Sequence, residues 1–311
     1  MNLFFILIGF VLLILGGNWL LKAAVGLSLK LNIPKIVIGM TVVSFATSAP
    51  ELIVSVNAAL KGSPDLALGN VVGSNIANLG LVLAITIILT HIDVERSFYI
   101  TDWPVMMIAS AMLYGFLIFD GQLQRYEGVI MFSFLIIFLI YLLRFQKPAV
   151  VDEMPEDDVI LPLYKIVLYL AIGGVALWGG SDMLVNGAIG LAQGLGVSER
   201  VIGITIVSIG TSIPELAASI IAVLKKEKAI SLGNLLGSNV FNILAVLGIT
   251  SMITPITVQD QGLLNSDIYW MLAIAFAVFP LVFIPKGLRL GWRDGILLLG
   301  TYLTFVYITA F

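Results

Sequence analysis

Two glutamates, Glu51 and Glu215, lie in the middle of long apolar segments, and each completes the same Thr-Ser-x-Pro-Glu sequence. A carboxylate near the centre of a membrane costs at least about 2.5–3.5 kcal/mol, so it normally faces a cavity, a partner or an ion pathway. A protonated glutamate hydrogen-bonded between helices is the alternative. Two glutamates in matching contexts, with no Lys or Arg in the same segments to pair with them, favour an ion pathway.

The residues around both glutamates offer only oxygen atoms as ligands. Pro50 and Pro214 have no N–H group, so each leaves a main-chain carbonyl without its helical partner, and we expect a broken helix whose free carbonyls face a cation. Hydroxyl groups within one turn, and serine–asparagine pairs spaced i, i+4 on the following helix, complete the set: Thr47, Ser48, Ser74 and Asn78, then Thr211, Ser212, Ser238 and Asn242. Such a set suits Na⁺ or Ca²⁺ rather than zinc or copper.

These ligands belong to a repeat. Residues 39–78 and 203–242 share 20 identities over 40 positions at a constant offset of 164. Each copy also contains a Gly-x-x-x-Gly pattern, Gly69 with Gly73 and Gly233 with Gly237, which predicts close helix packing. We therefore expect the serine–asparagine helix of each copy to lie against its glutamate helix.

The composition is that of a polytopic membrane protein, since 59% of the 311 residues are hydrophobic, 11% are charged and the mean hydropathy is +1.08. The absence of cysteine excludes thiolate chemistry, and a net charge of −3 with scattered basic residues disfavours a nucleic-acid partner. No nucleotide-binding loop or nucleophile–histidine pair is present, so an enzyme or primary pump is not expected. Ten spans are predicted, at 3–21, 36–60, 66–90, 99–119, 128–145, 164–186, 201–224, 229–250, 268–284 and 293–310.

The charged loops predict the orientation of the spans. Thirteen Lys and Arg residues lie in alternate connections and three in the others, which places both termini outside and the acidic linker 146–163 in the cytoplasm. Five spans per half invert the second repeat (164–311) relative to the first (1–145). The expected location is the cell (inner or plasma) membrane, with the lipid bilayer as surroundings and no obligate protein partner evident.

The paired motifs, Gly-x-Thr-x-Val-Ser-x-x-Thr-Ser-x-Pro-Glu and Gly-Asn-x-x-Gly-Ser-Asn-x-x-Asn, resemble the alpha-1 and alpha-2 repeats of the sodium/calcium exchanger family, within the cation/calcium antiporter superfamily. In span count and order the resemblance covers essentially the whole chain. It implies an all-α fold of ten transmembrane helices in two inverted five-helix repeats, whose first and sixth helices slide against the rest. It also implies a Ca²⁺/Na⁺ antiporter that works by alternating access and needs no cofactor.

The resemblance also assigns individual ligands. It implies that Ca²⁺ binds Glu51 and Glu215, assisted by Thr47 and Thr211. Asn78 and Asn242 would flank this central position. Sodium would bind the hydroxyl groups of four serines and the main-chain carbonyls of two more: Ser48, Ser74, Ser212 and Ser238, then Ser44 and Ser208.

Two other functions remain open from the sequence. The same architecture could exchange Ca²⁺ for H⁺ or carry another cation, although the serine-rich sodium positions argue against proton exchange. A passive cation channel is a different class, which inverted repeats with broken helices disfavour. The lone histidine, His91, is interpreted as a structural residue of an interfacial loop.

The chain departs from the family at one ligand, because archaeal members carry an aspartate where this chain has Asn242. Asparagine resembles a protonated aspartic acid in shape and charge, but it cannot take up or release a proton. We predict that Asn242→Asp makes transport depend differently on pH without abolishing it. The measurement is Ca²⁺ uptake into proteoliposomes across a pH series, and superimposable profiles of the two proteins would contradict the prediction.

Overall fold

The computed structural model describes residues 2–145, 161–194, 210–284 and 287–310, which are almost entirely helical. The helices of the first half are α1 (Asn2–Leu31), α2 (Lys35–Ile38), α3 (Ser44–Leu60), α4 (Pro64–Ala77), α5 (Ala84–Leu89), α6 (Trp103–Asp120) and α7 (Arg125–Phe145). Those of the second half are α8 (Leu163–Gly194), α9 (Ile213–Leu224), α10 (Lys228–Phe241), α11 (Gly248–Ile253), α12 (Ile268–Phe283) and α13 (Trp292–Ala310).

Short irregular elements recur in the two halves. Several apolar helices contain π-helical segments, at Gly39–Val43, Asn78–Leu83, Phe98–Asp102, Asn242–Leu247 and Leu263–Asp267. Four two-residue strands are present as well: β1 (Ile92–Asp93), β2 (Gln122–Leu123), β3 (Ile256–Thr257) and β4 (Arg289–Leu290). β1 pairs antiparallel with β4, and β2 pairs antiparallel with β3. Each strand pair therefore joins one half of the chain to the other.

The all-helical prediction is confirmed, and eight helices of the described ranges are long and apolar enough to cross a membrane. They correspond to eight of the ten predicted spans. The seventh predicted span, 201–224, is described only from residue 210 and contains the shorter helix α9. The tenth predicted span corresponds to α13, which is not among the eight. Because the seventh and tenth spans are not among the eight, the count of ten stays a prediction. Most of the predicted linker, 146–160, lies outside the described residues.

Two spans are longer than predicted. α1 and α8 contain 30 and 32 residues, whereas the apolar segments predicted 3–21 and 164–186. The two helices pack against each other through glycines. A Cβ atom on Gly9 would lie 2.7 Å from the carbonyl oxygen of Gly180, and one on Gly16 would lie 2.9 Å from that of Gly173. The partner number falls as the residue number rises, so the helices are antiparallel.

The described residues form two compact units, each built from both halves of the chain. The first unit comprises Met1–Thr47 and Phe138–Asn234, and the second comprises Ser48–Ile137 and Leu235–Phe311. Leucine, isoleucine and alanine side chains form the core of the first unit: Leu13, Leu20, Leu177, Ala218 and Ile221. Large side chains are fully buried in the second: Leu83, Ile87, Met106 and Leu113. Each unit contains residues of both predicted repeats, so the division into repeats at 1–145 and 164–311 stays a prediction.

The packing of α1 on α8 predicts opposite effects at two adjacent glycines. A Cβ atom on Gly173 would lie 2.8 Å from the main-chain nitrogen of Leu20, whereas nothing lies within 4 Å of one on Gly174. We expect Gly173→Ala to destabilise the protein by about 1–3 kcal/mol through overpacking. Gly174→Ala should leave the stability unchanged or raise it, since alanine is the better helix former. Thermal unfolding in detergent measures both, and equal midpoints for the two variants would contradict this packing.

Candidate cation site

Glu51 lies in an unbroken helix. α3 runs from Ser44 to Leu60 with Pro50 inside it, so the helix break that was predicted at this proline is wrong for the first copy. Pro50 still lacks an N–H group, which leaves the carbonyl of Ala46 without its usual donor. The Glu51 side chain is completely buried. The sequence therefore located the buried acid correctly but not the backbone around it.

Glu215 has a different backbone setting. α9 begins at Ile213, Pro214 occupies its first turn, and Glu215 follows in that turn. Proline suits the first turn because its missing N–H group has no helical acceptor there. A carboxylate in the first turn is also favoured by the positive end of the helix dipole. Glu215 is completely buried, like Glu51, and the preceding residues Thr211 and Ser212 form a turn rather than a helix.

The second unit brings predicted ligands from both copies into contact. The amide nitrogen of Asn242 donates to the hydroxyl oxygen of Ser74 at 3.0 Å, and the Ser74 hydroxyl donates to the carbonyl of Val71 at 3.1 Å. Asn78 and Asn242 each begin a π-helical segment. Such segments occur frequently at functional sites. Ser238, the counterpart of Ser74, is also completely buried.

The first unit contains Ser44 and Thr47. The Ser44 hydroxyl has two carbonyl acceptors within hydrogen-bond distance, those of Gly39 at 2.8 Å and Asn234 at 2.9 Å. Thr47 lies within hydrogen-bond distance of the Asn234 side-chain oxygen (3.2 Å) and of the Ser44 carbonyl (3.3 Å). The hydroxyl groups of Ser44 and Thr47 thus already have acceptors within the protein. Ser208, which was predicted to offer a carbonyl, lies outside the described residues.

Close helix packing beside these residues does not involve the glycines that were predicted for the first copy. Nothing lies within 4 Å of a Cβ atom placed on Gly73, and the nearest atom to one on Gly69 is 3.7 Å away. Gly39 is the tightly packed position, since a Cβ atom there would lie 2.6 Å from the carbonyl of Ile230 and 3.1 Å from the Gly233 Cα atom. The Gly-x-x-x-Gly interpretation was therefore wrong at Gly69 and Gly73. Gly233 does mark a close approach of α10.

Four predicted ligand atoms are buried without a hydrogen-bond partner among the described residues: Ser48 Oγ, Ser212 Oγ, Asn78 Oδ1 and Asn242 Oδ1. Most buried polar side-chain atoms in proteins have a partner, so each exception needs an explanation. All four are oxygen atoms with lone pairs, and they occupy matching positions of the two copies. Bound hard cations would explain these four atoms, because Na⁺ and Ca²⁺ take oxygen ligands. The buried hydroxyls of Ser97, Ser231 and Thr250 also have no hydrogen-bond partner among the described residues, so the missing partner alone does not identify a ligand.

Four residues that sequence analysis missed connect the helices of each copy. Asn70 donates to the Ser55 hydroxyl at 3.0 Å, and Asn234 donates to the Ser219 hydroxyl at 3.1 Å. Ser55 and Ser219 each lie four residues after a glutamate, and each asparagine follows the first glycine of its Gly-Asn motif. Ser55 matches Ser219 and Asn70 matches Asn234 in the alignment of the two copies, and this identity is the signal that could have identified them.

Burial of a carboxylate does not by itself identify an ion site in this protein. Glu127 accepts a hydrogen bond from the N–H group of Gln124 at 2.7 Å, and Asp294 accepts one from Gly291 at 2.8 Å. Both are buried acids in the first turn of a helix, α7 and α13, where they satisfy main-chain donors. Asp102 is also buried completely, at the end of a π-helical segment. What distinguishes Glu51 and Glu215 is the set of neutral oxygen ligands in the same two motifs.

Comparison with known proteins identifies the family of this chain. The family described as "Sodium/calcium exchanger protein" matches residues 1–144 and 165–311. The chain is 36% identical to the putative antiporter CaxA of Alkalimonas amylolytica, over 98% of this chain and 97% of the relative. It is 32% identical to the inner membrane protein YrbG of Escherichia coli K12, over 97% and 94%. The sodium/calcium exchanger MaX1 of Methanosarcina acetivorans is 27% identical, over 99% and 98%.

Solved structures show the same fold. The sodium-calcium exchanger NCX_Mj, soaked with zero Na⁺ and Ca²⁺, matches with a TM-score of 0.84 at 25% identity, over 99% of this chain and 98% of that one. The same protein soaked with 2.5 mM Na⁺ and 0.1 mM Sr²⁺ matches with a TM-score of 0.82 at 27% identity, over 99% of both chains. The class is therefore that of multi-pass membrane transport proteins. The chain belongs to the sodium/calcium exchanger protein family.

The asparagine–serine contact predicts a specific loss of stability. Ser219→Ala would leave the buried amide of Asn234 without its acceptor, and an unsatisfied buried donor costs about 1–3 kcal/mol. Ser231 is the matched control, because it is a buried serine of the same unit whose hydroxyl has no hydrogen-bond partner in the described part. We expect Ser219→Ala to lower the thermal midpoint clearly more than Ser231→Ala. The reverse order would show that the contact does not stabilise the fold.

Proposed function

We propose that this protein is a secondary antiporter that exchanges Ca²⁺ for Na⁺ across the cell membrane by alternating access. Membership of the exchanger family supports cation antiport. The observation that carries the proposal is the set of four buried ligand oxygens without hydrogen-bond partners, at positions where sequence analysis predicted cation ligands. Neutral oxygen atoms of this kind are suited to hard cations such as Na⁺ and Ca²⁺.

The roles of the ligands follow from their charge. Glu51 and Glu215 supply two negative charges, which balance one Ca²⁺ or two Na⁺ ions. Thr47 and Thr211 add neutral oxygens beside the glutamates, and Asn78 and Asn242 flank the Ca²⁺ position. Sodium binds the serine hydroxyls, at Ser48, Ser74, Ser212 and Ser238, and the carbonyls of Ser44 and Ser208. Ions that compete for the same carboxylates are bound in turn, and this competition couples the movement of one ion to that of the other.

The proposed architecture is ten transmembrane helices in two inverted five-helix repeats. The recurrence of π-helical segments at Asn78–Leu83 and Asn242–Leu247 supports an internal repeat. The antiparallel packing of α1 on α8 supports inversion, since these are the first helices of the two repeats. The distribution of basic residues supports termini outside the cell and a cytoplasmic linker at 146–163.

Alternating access is proposed to use α1 and α8 as a sliding pair. Their backbones approach closely at Gly9, Gly16, Gly173 and Gly180, so the two helices are expected to move together. An ion site that opens to one side at a time couples the two ions without any resident cofactor. No protein partner is required in this scheme.

Exchange of Ca²⁺ for H⁺, or of another cation, is the alternative function of the same site. The neutral asparagines at both central positions favour Na⁺ over H⁺, because an amide cannot carry a proton across the membrane. The hydroxyls of Ser48 and Ser212, which have no hydrogen-bond partner among the described residues, also favour Na⁺, because a serine hydroxyl does not carry a proton across the membrane either. Sodium exchange is therefore our main proposal.

The two glutamates provide a direct test. Glu51→Gln and Glu215→Gln keep the size of the side chain but remove the negative charge, so we expect each to abolish ⁴⁵Ca²⁺ uptake into Na⁺-loaded proteoliposomes. Glu127→Gln is the matched control, because this buried carboxylate caps α7 and is not a proposed ligand. Its uptake should stay within about twofold of the unmodified protein. Near-normal uptake by either ligand variant would remove that glutamate from the site.

A further inference from the structure

Two asparagines that are not proposed ligands form a reciprocal pair in the second unit. The Asn75 side-chain nitrogen donates to the main-chain carbonyl of Asn239 at 3.2 Å, and the Asn239 nitrogen donates to that of Asn75 at 3.4 Å. Both side chains are buried, with 2% and 1% of their surface exposed. A carbonyl can only accept, so the nitrogen of each amide must lie on this side. The orientation of both amides is therefore fixed.

The fixed amides point their oxygens at the proposed ligands of the opposite copy. The Asn75 oxygen accepts from the nitrogen of Asn242 at 3.2 Å, and the Asn239 oxygen accepts from the nitrogen of Asn78 at 3.1 Å. Asn242 also donates to the Ser74 hydroxyl. The nitrogens of both proposed ligands are thus committed to protein acceptors. Their oxygens are the atoms left over, buried and without hydrogen-bond partners among the described residues.

We propose that Asn75 and Asn239 are positioning residues, which hold Asn242 and Asn78 so that their side-chain oxygens, and not their nitrogens, face the transported cation. This inference rests on the proposed function. Rotation of a ligand amide by half a turn would replace an acceptor with an NH₂ group, which repels a cation. Residues that orient metal ligands in this way typically change metal affinity by about 10–100-fold when they are removed.

The pairing is crossed, which gives each positioning residue a single target. Asn75 lies in α4 and orients Asn242 of the other copy, whereas Asn239 lies in α10 and orients Asn78. Asn75→Ala should leave Asn78 in place, because Asn239 keeps its acceptor in the main-chain carbonyl of residue 75. The effect of Asn75→Ala should therefore pass through Asn242 alone.

A double-mutant cycle tests this prediction on purified protein. The readout is the Ca²⁺ or Na⁺ concentration that gives half of the thermal stabilisation by that ion. We expect Asn75→Ala to raise this concentration about 10-fold or more. In an Asn242→Ala background the same change should have less than about a twofold effect, whereas in an Asn78→Ala background its full effect should remain. Asn239→Ala should show the mirror pattern, silent with Asn78→Ala and effective with Asn242→Ala.

The control is Thr86→Val, which removes a buried hydroxyl of α5 that donates to the carbonyl of Val82 at 2.7 Å. It should leave the half-stabilising concentration within about twofold. If Asn75→Ala does not yield folded protein, Asn75→Ser and the Asn239 arm of the cycle give the same comparison. Equal effects of Asn75→Ala with and without Asn242 would overturn the positioning role while leaving the proposed function intact. Failure of Ca²⁺ and Na⁺ to stabilise the unmodified protein would overturn both.

Discussion

The central constraint on this protein is the burial of oxygen atoms among apolar helices. Glu51 and Glu215 are completely buried in a chain that has 59% hydrophobic residues, and burial of a charge is tolerated only when other groups stabilise it. The surrounding sequence contains such groups. Hydroxyls and amides occur in the same two motifs. Two of the π-helical segments begin at amides of these motifs, Asn78 and Asn242. The same two motifs therefore contain both the buried carboxylates and the polar groups that accompany them.

The hydrogen bonds of the two motifs distinguish residues that join helices from residues that are proposed to bind the cation. Asn70 and Asn234 use their nitrogens to join one helix of a copy to the glutamate helix, through Ser55 and Ser219. Asn75 and Asn239 form the reciprocal pair described above. The oxygens of Asn75 and Asn239 accept from the nitrogens of Asn242 and Asn78, so the buried amide oxygens without a hydrogen-bond partner in the described part of the chain are Asn78 Oδ1 and Asn242 Oδ1. In the proposed function these two oxygens are the atoms that face the cation.

Sequence analysis predicted the helical class, eight of the span positions and two acids that the structure buries, because apolar length and repeated motifs are local properties. It underestimated α1 and α8, since hydropathy reports where a helix is apolar and not where it ends. It expected a break at Pro50 that the structure does not have, because tertiary packing can retain a proline inside a helix. The two-residue strands and the Asn75–Asn239 pair depend on contacts between residues far apart in the chain, which a single sequence does not encode in any periodic signal.

Exchange of Ca²⁺ for Na⁺ is the central claim, and ion uptake under separately imposed gradients tests it most directly. Purified protein would be reconstituted into liposomes, and ⁴⁵Ca²⁺ uptake measured with an outward gradient of Na⁺, K⁺ or H⁺ alone. We predict uptake with the Na⁺ gradient and none above protein-free liposomes with the K⁺ or H⁺ gradient. Uptake driven by H⁺ in the absence of Na⁺, or uptake that needs no counter-ion gradient at all, would contradict the claim.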